Sequence, residues 1–297
     1  MNRTRVNWRF LLYLALAVAA GAQTTNQFNM ADSEYATLGA APNRWYYGST
    51  DALASSFQAA AATTPVIAPA GVVNAASFLG DIAPGSRATL FGSNLADSIY
   101  QGSQVVDSNG HFLTEVAGVS VSVNGVNAPL TYVSPTQIDF QVPWETALGT
   151  VNVQVTNAGV QSAVEQVTMA SSAAPAMFLS NYSTGMAWVT GTAAEGCPIS
   201  QCAIQAGNTY QLWANGLGPK NEAEQDGVGD GATTIDGLSV VGGTASCQLT
   251  IGGIDATVTY CGAAPGEIID QLDFTYPAGI PSGAAVLATL TISGATG

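Results

Sequence analysis

Residues 119–143 read VSVSVNGVNAPLTYVSPTQIDFQVP. Val119, Val121 and Val123 alternate with serines, Asn124-Gly125 follows, and Ile138-Asp-Phe140-Gln-Val142 resumes the alternation up to Pro143. Side chains on a strand point to opposite faces in turn, so a period of two buries the apolar set on one face. Asn-Gly tolerates the positive φ of a tight hairpin. The same pattern returns at Val151-Asn-Val153-Gln-Val155, Leu249-Thr-Ile251 and Ala288-Thr-Leu290-Thr-Ile292. No amphipathic helical period follows residue 70. Short strands punctuated by Gly, Asn and Pro predict an all-β chain built of β-sandwiches.

The quoted stretch also recurs. Val123-Asn124-Gly125 followed by Tyr132 matches Ile251-Gly252-Gly253 followed by Tyr260, at an offset of 128. Pro135 corresponds to Pro265, and Gln137, Asp139, Phe140 and Pro143 match Gln271, Asp273, Phe274 and Pro277 at an offset of 134. Upstream, Gly85 and Asn94-Leu95 match Gly207 and Gly216-Leu217 at an offset of 122. A period this long is a whole sandwich rather than a solenoid unit. It predicts two tandem copies, residues 70–172 and 173–297.

Val73-Asn74-Ala75-Ala76-Ser77-Phe78, Ala83-Pro84-Gly85-Ser86 and Phe91-Gly92-Ser93-Asn94-Leu95 open the first copy. Together with Val119 to Val126, Ala128-Pro129-Leu130, Tyr132-Val133-Ser134-Pro135, Gln137-Ile138, Val142-Pro143 and Ala214-Asn215-Gly216-Leu217-Gly218-Pro219, they resemble the Solibacter-type uncharacterised C-terminal domain family. The resemblance spans about residues 70–297, and each half also resembles an IPT/TIG-type immunoglobulin-like domain. It implies export and tandem sandwiches at the end of surface or secreted proteins, and brings no catalytic residues. Against that family pattern two departures are expected: little before the domain pair, and a shortened closing strand, which would leave an edge beside Ala285–Ser293 open for self-association.

The first 22 residues read as a secretory signal: Arg3, Arg5 and Arg9, then the apolar Phe10 to Gly21, then the small residues Ala20-Gly21-Ala22. Twelve apolar residues are too few to cross roughly 30 Å of hydrocarbon. Residues 23–69 lack alternation and read as a linker or leader, with one aromatic island at Arg44-Trp45-Tyr46-Tyr47. Six basic residues against twenty acids give a net charge of −14. Losing the signal removes three of the basic residues and no acid, which leaves −17. That balance excludes nucleic acid as a partner and disfavours attachment to anionic lipid. Charged residues are only 9% of the chain while hydrophobic ones are 47%, which excludes a solvated disordered chain.

Four cysteines in an exported chain read as two disulfides with three connectivities. Proximity favours Cys197–Cys202 and Cys247–Cys261. At offset 128 the latter pair replaces Val119 and Val133. A two-residue Gly252-Gly253 turn would set Cys247 opposite Val258, so this pairing requires a bulge or longer loop. The spacing matches no zinc ribbon.

Chemistry-bearing residues are sparse. His111 is the only histidine, in a loop-like Ser-Asn-Gly-His stretch, and no Gly-x-Ser-x-Gly elbow occurs. Asp139 and Asp273 occupy matching positions flanked by apolar residues, which puts each on the outer face of a strand rather than in a shared catalytic pair. Asp226 and Asp230, in an acidic glycine-containing loop, are the calcium candidates, although their spacing fits no EF-hand. Trp144, at a strand end, and Trp213 are the candidates for stacking on sugar rings, against core or interdomain packing. Trp188, Tyr100 and Tyr182 are further aromatics. No cofactor is expected. The sequence favours an exported, non-enzymatic module for adhesion, assembly or scaffolding, with an extracellular protein or polysaccharide as partner. A carbohydrate-binding module is the alternative and a carboxylate-based hydrolase the second alternative.

Overall fold

A computed structural model describes residues 63–169, 171–181, 186–187, 189–191, 204–222, 224–229, 234, 246–280 and 286–293. These belong to one contact-defined unit, Ala62–Gly297. The expected signal, residues 23–62 of the expected leader, Tyr182, Trp188, Cys197, Cys202 and Asp230 lie outside the described residues.

The strands are β1 (Val66–Asn74), β2 (Arg87–Ser93), β3 (Tyr100–Gln101), β4 (Val119–Val123), β5 (Val126–Asn127), β6 (Leu130–Val133), β7 (Gln137–Gln141), β8 (Gly149–Asn157), β9 (Val160–Gln161), β10 (Glu165–Met169), β11 (Ala176–Met177), β12 (Leu179–Asn181), β13 (Met186–Ala187), β14 (Val189–Gly191), β15 (Thr209–Asn215), β16 (Ser246–Ile251), β17 (Ile254–Ala263), β18 (Asp270–Thr275) and β19 (Ala288–Ser293). A single 3-10 turn, Gly102–Gln104, is the one helical element among the described residues. The fold is all-β. One antiparallel sheet runs β1-β2-β7-β6-β3, and a second β10-β8-β4-β5 with β9 on β8. The third runs β11-β15-β18-β17-β16-β19 with β14 on β15, and β12 pairs with β13.

Alternation decides which side chains meet. Val119, Val121 and Val123 of β4 and Val151, Val153 and Val155 of β8 are each at most 1% exposed. They share one cluster with Leu90, Ile138 and Phe140 of the first sheet. Burying a side chain of this size contributes about 1.5–3 kcal/mol. A second cluster gathers Leu212, Leu249, Ile251, Cys261, Leu272 and Phe274, with Ala288, Leu290 and Ile292 of β19 only partly buried against it. β8 lies between β4 and β10, whereas β19 pairs with β16 alone among the described strands.

Matching positions of the repeat carry matching irregularities. β6 slips against β7 at Thr131, so that Leu130 faces Phe140 while Tyr132 faces Asp139. β17 slips against β18 at Thr259, so that Val258 faces Phe274 while Tyr260 faces Asp273. Each bulge brings its hydroxyl to the same acceptor: Thr131 Oγ1 donates to the Asp139 carbonyl at 3.2 Å, and Thr259 Oγ1 to the Asp273 carbonyl at 3.2 Å. Gly85 N–H donates to Val142 O, and Gly207 N–H to Tyr276 O, both at 2.9 Å.

The bulge also resolves the cysteine register. Ile251 pairs with Ile254 across a two-residue turn, which by itself would aim Cys247 at Val258. The extra residue at Thr259 turns Cys261 to the same inward face as Val258. Cys247 and Cys261 are disulfide-bonded, with Cα atoms 6.5 Å apart. In the N-terminal half the corresponding Val119 and Val133 are both buried.

β1 starts at Val66, inside the stretch whose composition reads as linker. Its ladder pairs Val66 and Ile67 with Ser93 and Gly92, then skips to Val72 opposite Leu90. The skipped residues include Pro69, which has no N–H to donate, and Ala70 at φ +51°. The interruption hides the strand from a search for alternation.

Candidate functional site

Beyond residue 62 the chain has two cationic side chains, Arg87 and Lys220. Both lie where the N-terminal and C-terminal halves meet. Arg87 begins β2, and its backbone N–H and C=O are both taken by the side-chain amide of Asn215 at the end of β15, at 2.8 and 2.9 Å. Asn215 Nδ2 also donates to Asn74 Oδ1 at 2.9 Å, and Asn74 Nδ2 donates to Ala174 O at 3.0 Å. Asn74 and Asn215 are each 1% exposed. Buried amides satisfied in this way hold two backbones in a fixed register, because unmaking one bond strands a buried polar group.

Lys220 follows the turn that leaves β15. Its side chain is 2% exposed, with Nζ 2.7 Å from Asp270 Oδ1 and donating to Gly218 O at 2.8 Å. The ammonium stands 5.4 Å from the Trp144 ring centroid, within cation–π range. The second Asp270 oxygen accepts from Leu217 N–H at 2.9 Å. Both charges are therefore engaged with each other and with neighbouring backbone groups at this junction.

The acidic loop completes the junction. Gly227 N–H donates to Gln141 Oε1 at 2.7 Å, and Gly227 O accepts from Phe112 N–H at 2.8 Å. At φ +72°, with Pro129 and Phe112 against the site of a Cβ, position 227 requires glycine. Asp226 Oδ1 accepts from Trp144 N–H at 3.0 Å. Burial pushes the Asp226 carboxyl up, the Trp144 N–H opposes this, and the neighbouring Glu145 adds to the rise. A shallow cleft of about 310 Å³, counted out to open solvent, borders Gln141, Trp144, Glu224 and Glu267.

Of the residues singled out from sequence, Trp144 is half-buried at this junction, against Gly85, where a Cβ would overlap its ring. Asp226 serves the same junction, and no group of three His, Cys, Asp or Glu suited to a metal ion occurs among the described residues. His111 is exposed in its loop, 3.8 Å from Asp107. Asp107 is held below its usual value, chiefly by the His111 backbone N–H. Asp139 stands on the outer face of β7 but is only 6% exposed, accepting from Thr89 Oγ1 at 2.8 Å and Gln137 Nε2 at 2.9 Å. Burial pushes its carboxyl up, opposed by Arg87 and those two donors. Asp273 accepts from Gln271 Nε2 at 2.7 Å, and partial burial pushes it up as well. Each acid is thus engaged within its own half. Trp213 alternates with the inward Tyr210, Leu212 and Ala214, and stands half-buried on the outer face of β15.

Sequence reasoning missed Lys220, Asn74, Asn215 and Gln141 as junction residues. Two signals were present: Asn74 and Asn215 sit inside the motifs Val-Asn-Ala-Ala and Ala-Asn-Gly-Leu. Lys220 is also the chain's only lysine.

Residues 79–170 match the TIG family, described as the IPT/TIG domain. No curated protein matches the chain. Among solved structures the chain is similar to a protein crystallised with a xylogluco-oligosaccharide, at 14% identity, over 79% of this chain and 42% of that one, with a TM-score of 0.24. It is also similar to the full extracellular region of plexin A4, at 12% identity, over 80% of this chain and 17% of that one, with a TM-score of 0.26. The chain thus spans less than half the length of either. No helix among the described residues is long and apolar enough to cross a membrane. The chain carries an IPT/TIG immunoglobulin-like domain at residues 79–170 within an all-β fold.

Proposed function

We propose that the protein is an exported, non-enzymatic binding module: two tandem immunoglobulin-like sandwiches, of the Solibacter-type kind, serving adhesion, assembly or scaffolding at the cell surface. The observation that carries this reading is the engagement of the charged groups. Lys220 and Asp270 neutralise each other, and Asp139 and Asp273 are held by their own strand neighbours. The recurring bulge and Gln–Asp bond support the tandem count, and the N-terminal Arg-plus-apolar segment supports export. A folded pair of domains fastened at their junction presents outer faces to an extracellular protein or polysaccharide.

Carbohydrate binding is the second reading, favoured by the outward, half-buried Trp213. The test is to purify the exported chain and measure both adhesion to cell-envelope fractions and hydrolysis of glycan and ester substrates. Retention without turnover is the expected result. Hydrolysis that disappears in Asp139→Asn or Asp273→Asn would overturn the proposal.

A further inference from the structure

We infer that the outer face of β15, β18 and β17 binds an uncharged polysaccharide, with Trp213 as the stacking platform; this rests on the binding-module reading above. Alternation puts Tyr210, Leu212 and Ala214 inward, so Gln211 and Trp213 stand outward. Across the sheet, Trp213 lies beside Gln271 and then Gly262, while Gln211 lies beside Asp273 and then Tyr260. Gly262 has no side chain, and the Tyr260 hydroxyl donates to Ala263 O. The Tyr260 ring therefore lies along β17 across the space that Gly262 leaves. Two aromatic side chains, on the outer strands of the three, flank a polar row on the middle one. In that row Gln271 fixes the Asp273 carboxylate.

The corresponding face of the N-terminal half differs at each equivalent of these β15 positions. There Phe91 stands for Trp213 and packs on Phe78 with centroids 6.2 Å apart. Thr89 stands for Gln211 and bonds Asp139, which is 6% exposed. Arg87 stands for Thr209. That face carries a cation and has Thr89 and Asp139 buried. On the C-terminal one Gln271 is equally covered, at 6% exposed, but Gln211, Asp273, Tyr260 and Trp213 around it are part-exposed, with no cation among the described residues.

Aromatic faces pack against the C–H faces of sugar rings, while amides and a carboxylate direct hydroxyl groups. A face whose charge is Asp273, on a chain of net charge −14, repels uronates and sulfated glycans. The occupant that fits is a neutral polymer.

Affinity electrophoresis through gels holding hydroxyethylcellulose, glucomannan, galactomannan or amylopectin tests this, with polygalacturonate as the anionic comparator. At least one neutral polymer should retard the protein. Trp213→Ala should weaken that binding at least tenfold, Gln211→Ala less, and Trp144→Ala by under twofold. Trp213→Phe restores most of the binding, which keeps the test valid if the alanine variant unfolds. Retardation by polygalacturonate, by none of the neutral polymers, or to the same extent in Trp213→Ala as in Trp144→Ala overturns the inference, as does a folded Trp213→Phe that binds no polymer. Adhesion to envelope protein without polymer binding also overturns it, yet leaves the binding-module reading standing. Release of reducing ends overturns both.

Discussion

The two halves share a backbone plan and differ in how they are held together. Both have the bulge that turns a threonine hydroxyl onto the next strand, and both have the Gln-to-Asp bond two residues apart. The N-terminal half closes this plan with valines: Val119, Val133 and the three valines of β8 are all buried. In the C-terminal half the β19 residues facing β16 are only partly buried, and the counterparts of Val119 and Val133 are a disulfide. A core that removes less apolar surface from water gains less from burial. A covalent staple offsets part of that loss by restricting the unfolded chain. The same positions are thus filled by packing in one half and by a bond in the other.

The largest way to break this asymmetry lies at the junction. Lys220→Met leaves Asp270 charged, buried and without its partner, which typically costs about 3–5 kcal/mol. The C-terminal half should then unfold before the N-terminal one, and calorimetry should show two transitions. Adding Asp270→Asn removes the stranded charge and should recover most of the loss, since the amide oxygen can still accept from Leu217 N–H. A single unchanged transition in Lys220→Met would mean that the pair contributes nothing to the coupling.

Next in size is the staple. Replacing both Cys247 and Cys261 with valine installs the residues of the N-terminal half. The sequence separation of 14 corresponds to roughly 3 kcal/mol in the chain-entropy account, and two well-packed valines should return a fraction of it. Val119→Cys with Val133→Cys is the reciprocal experiment, and should stabilise the N-terminal half less because its core is already closed. Equal gains and losses in the two halves would remove core closure as the reason for the disulfide.

Periodicity made the strands legible because burying one face imposes a period of two, and the recurring bulge and Gln–Asp bond sit at matched spacings because turns and bulges fix residue types. The run Tyr210-Gln-Leu-Trp213 looks like core filler from its composition, yet Trp213 stands half-buried on the outer face of β15. The junction was hidden for a different reason. Asn74 and Asn215 are separated by 141 residues, and nothing local marks two asparagines as partners. Lys220 is buried because a carboxylate and an aromatic ring from distant segments converge on it. Asp139 was legible as outward but not as covered, since alternation reports the face and not what lies over it.

The smallest effect concerns that pair of acids. Burial raises both carboxyls above the unfolded value of 3.8, so between that value and the folded pKa the native state binds more protons than the unfolded one. Stability from such a group is complete below pH 3.8 and is lost as pH climbs through the folded value. Asp139→Asn keeps an oxygen for Thr89 and Gln137 while removing the titration. Denaturant midpoints measured from pH 3.5 to 7 should therefore fall less steeply in Asp139→Asn than in the parent, with the variant gaining ground at the neutral end. Asp273 is more exposed, so water already screens much of its charge and Asp273→Asn should flatten the profile less. If the two variants flatten it equally, Asp139 is as well solvated as Asp273, and the N-terminal outer face is as open as the C-terminal one.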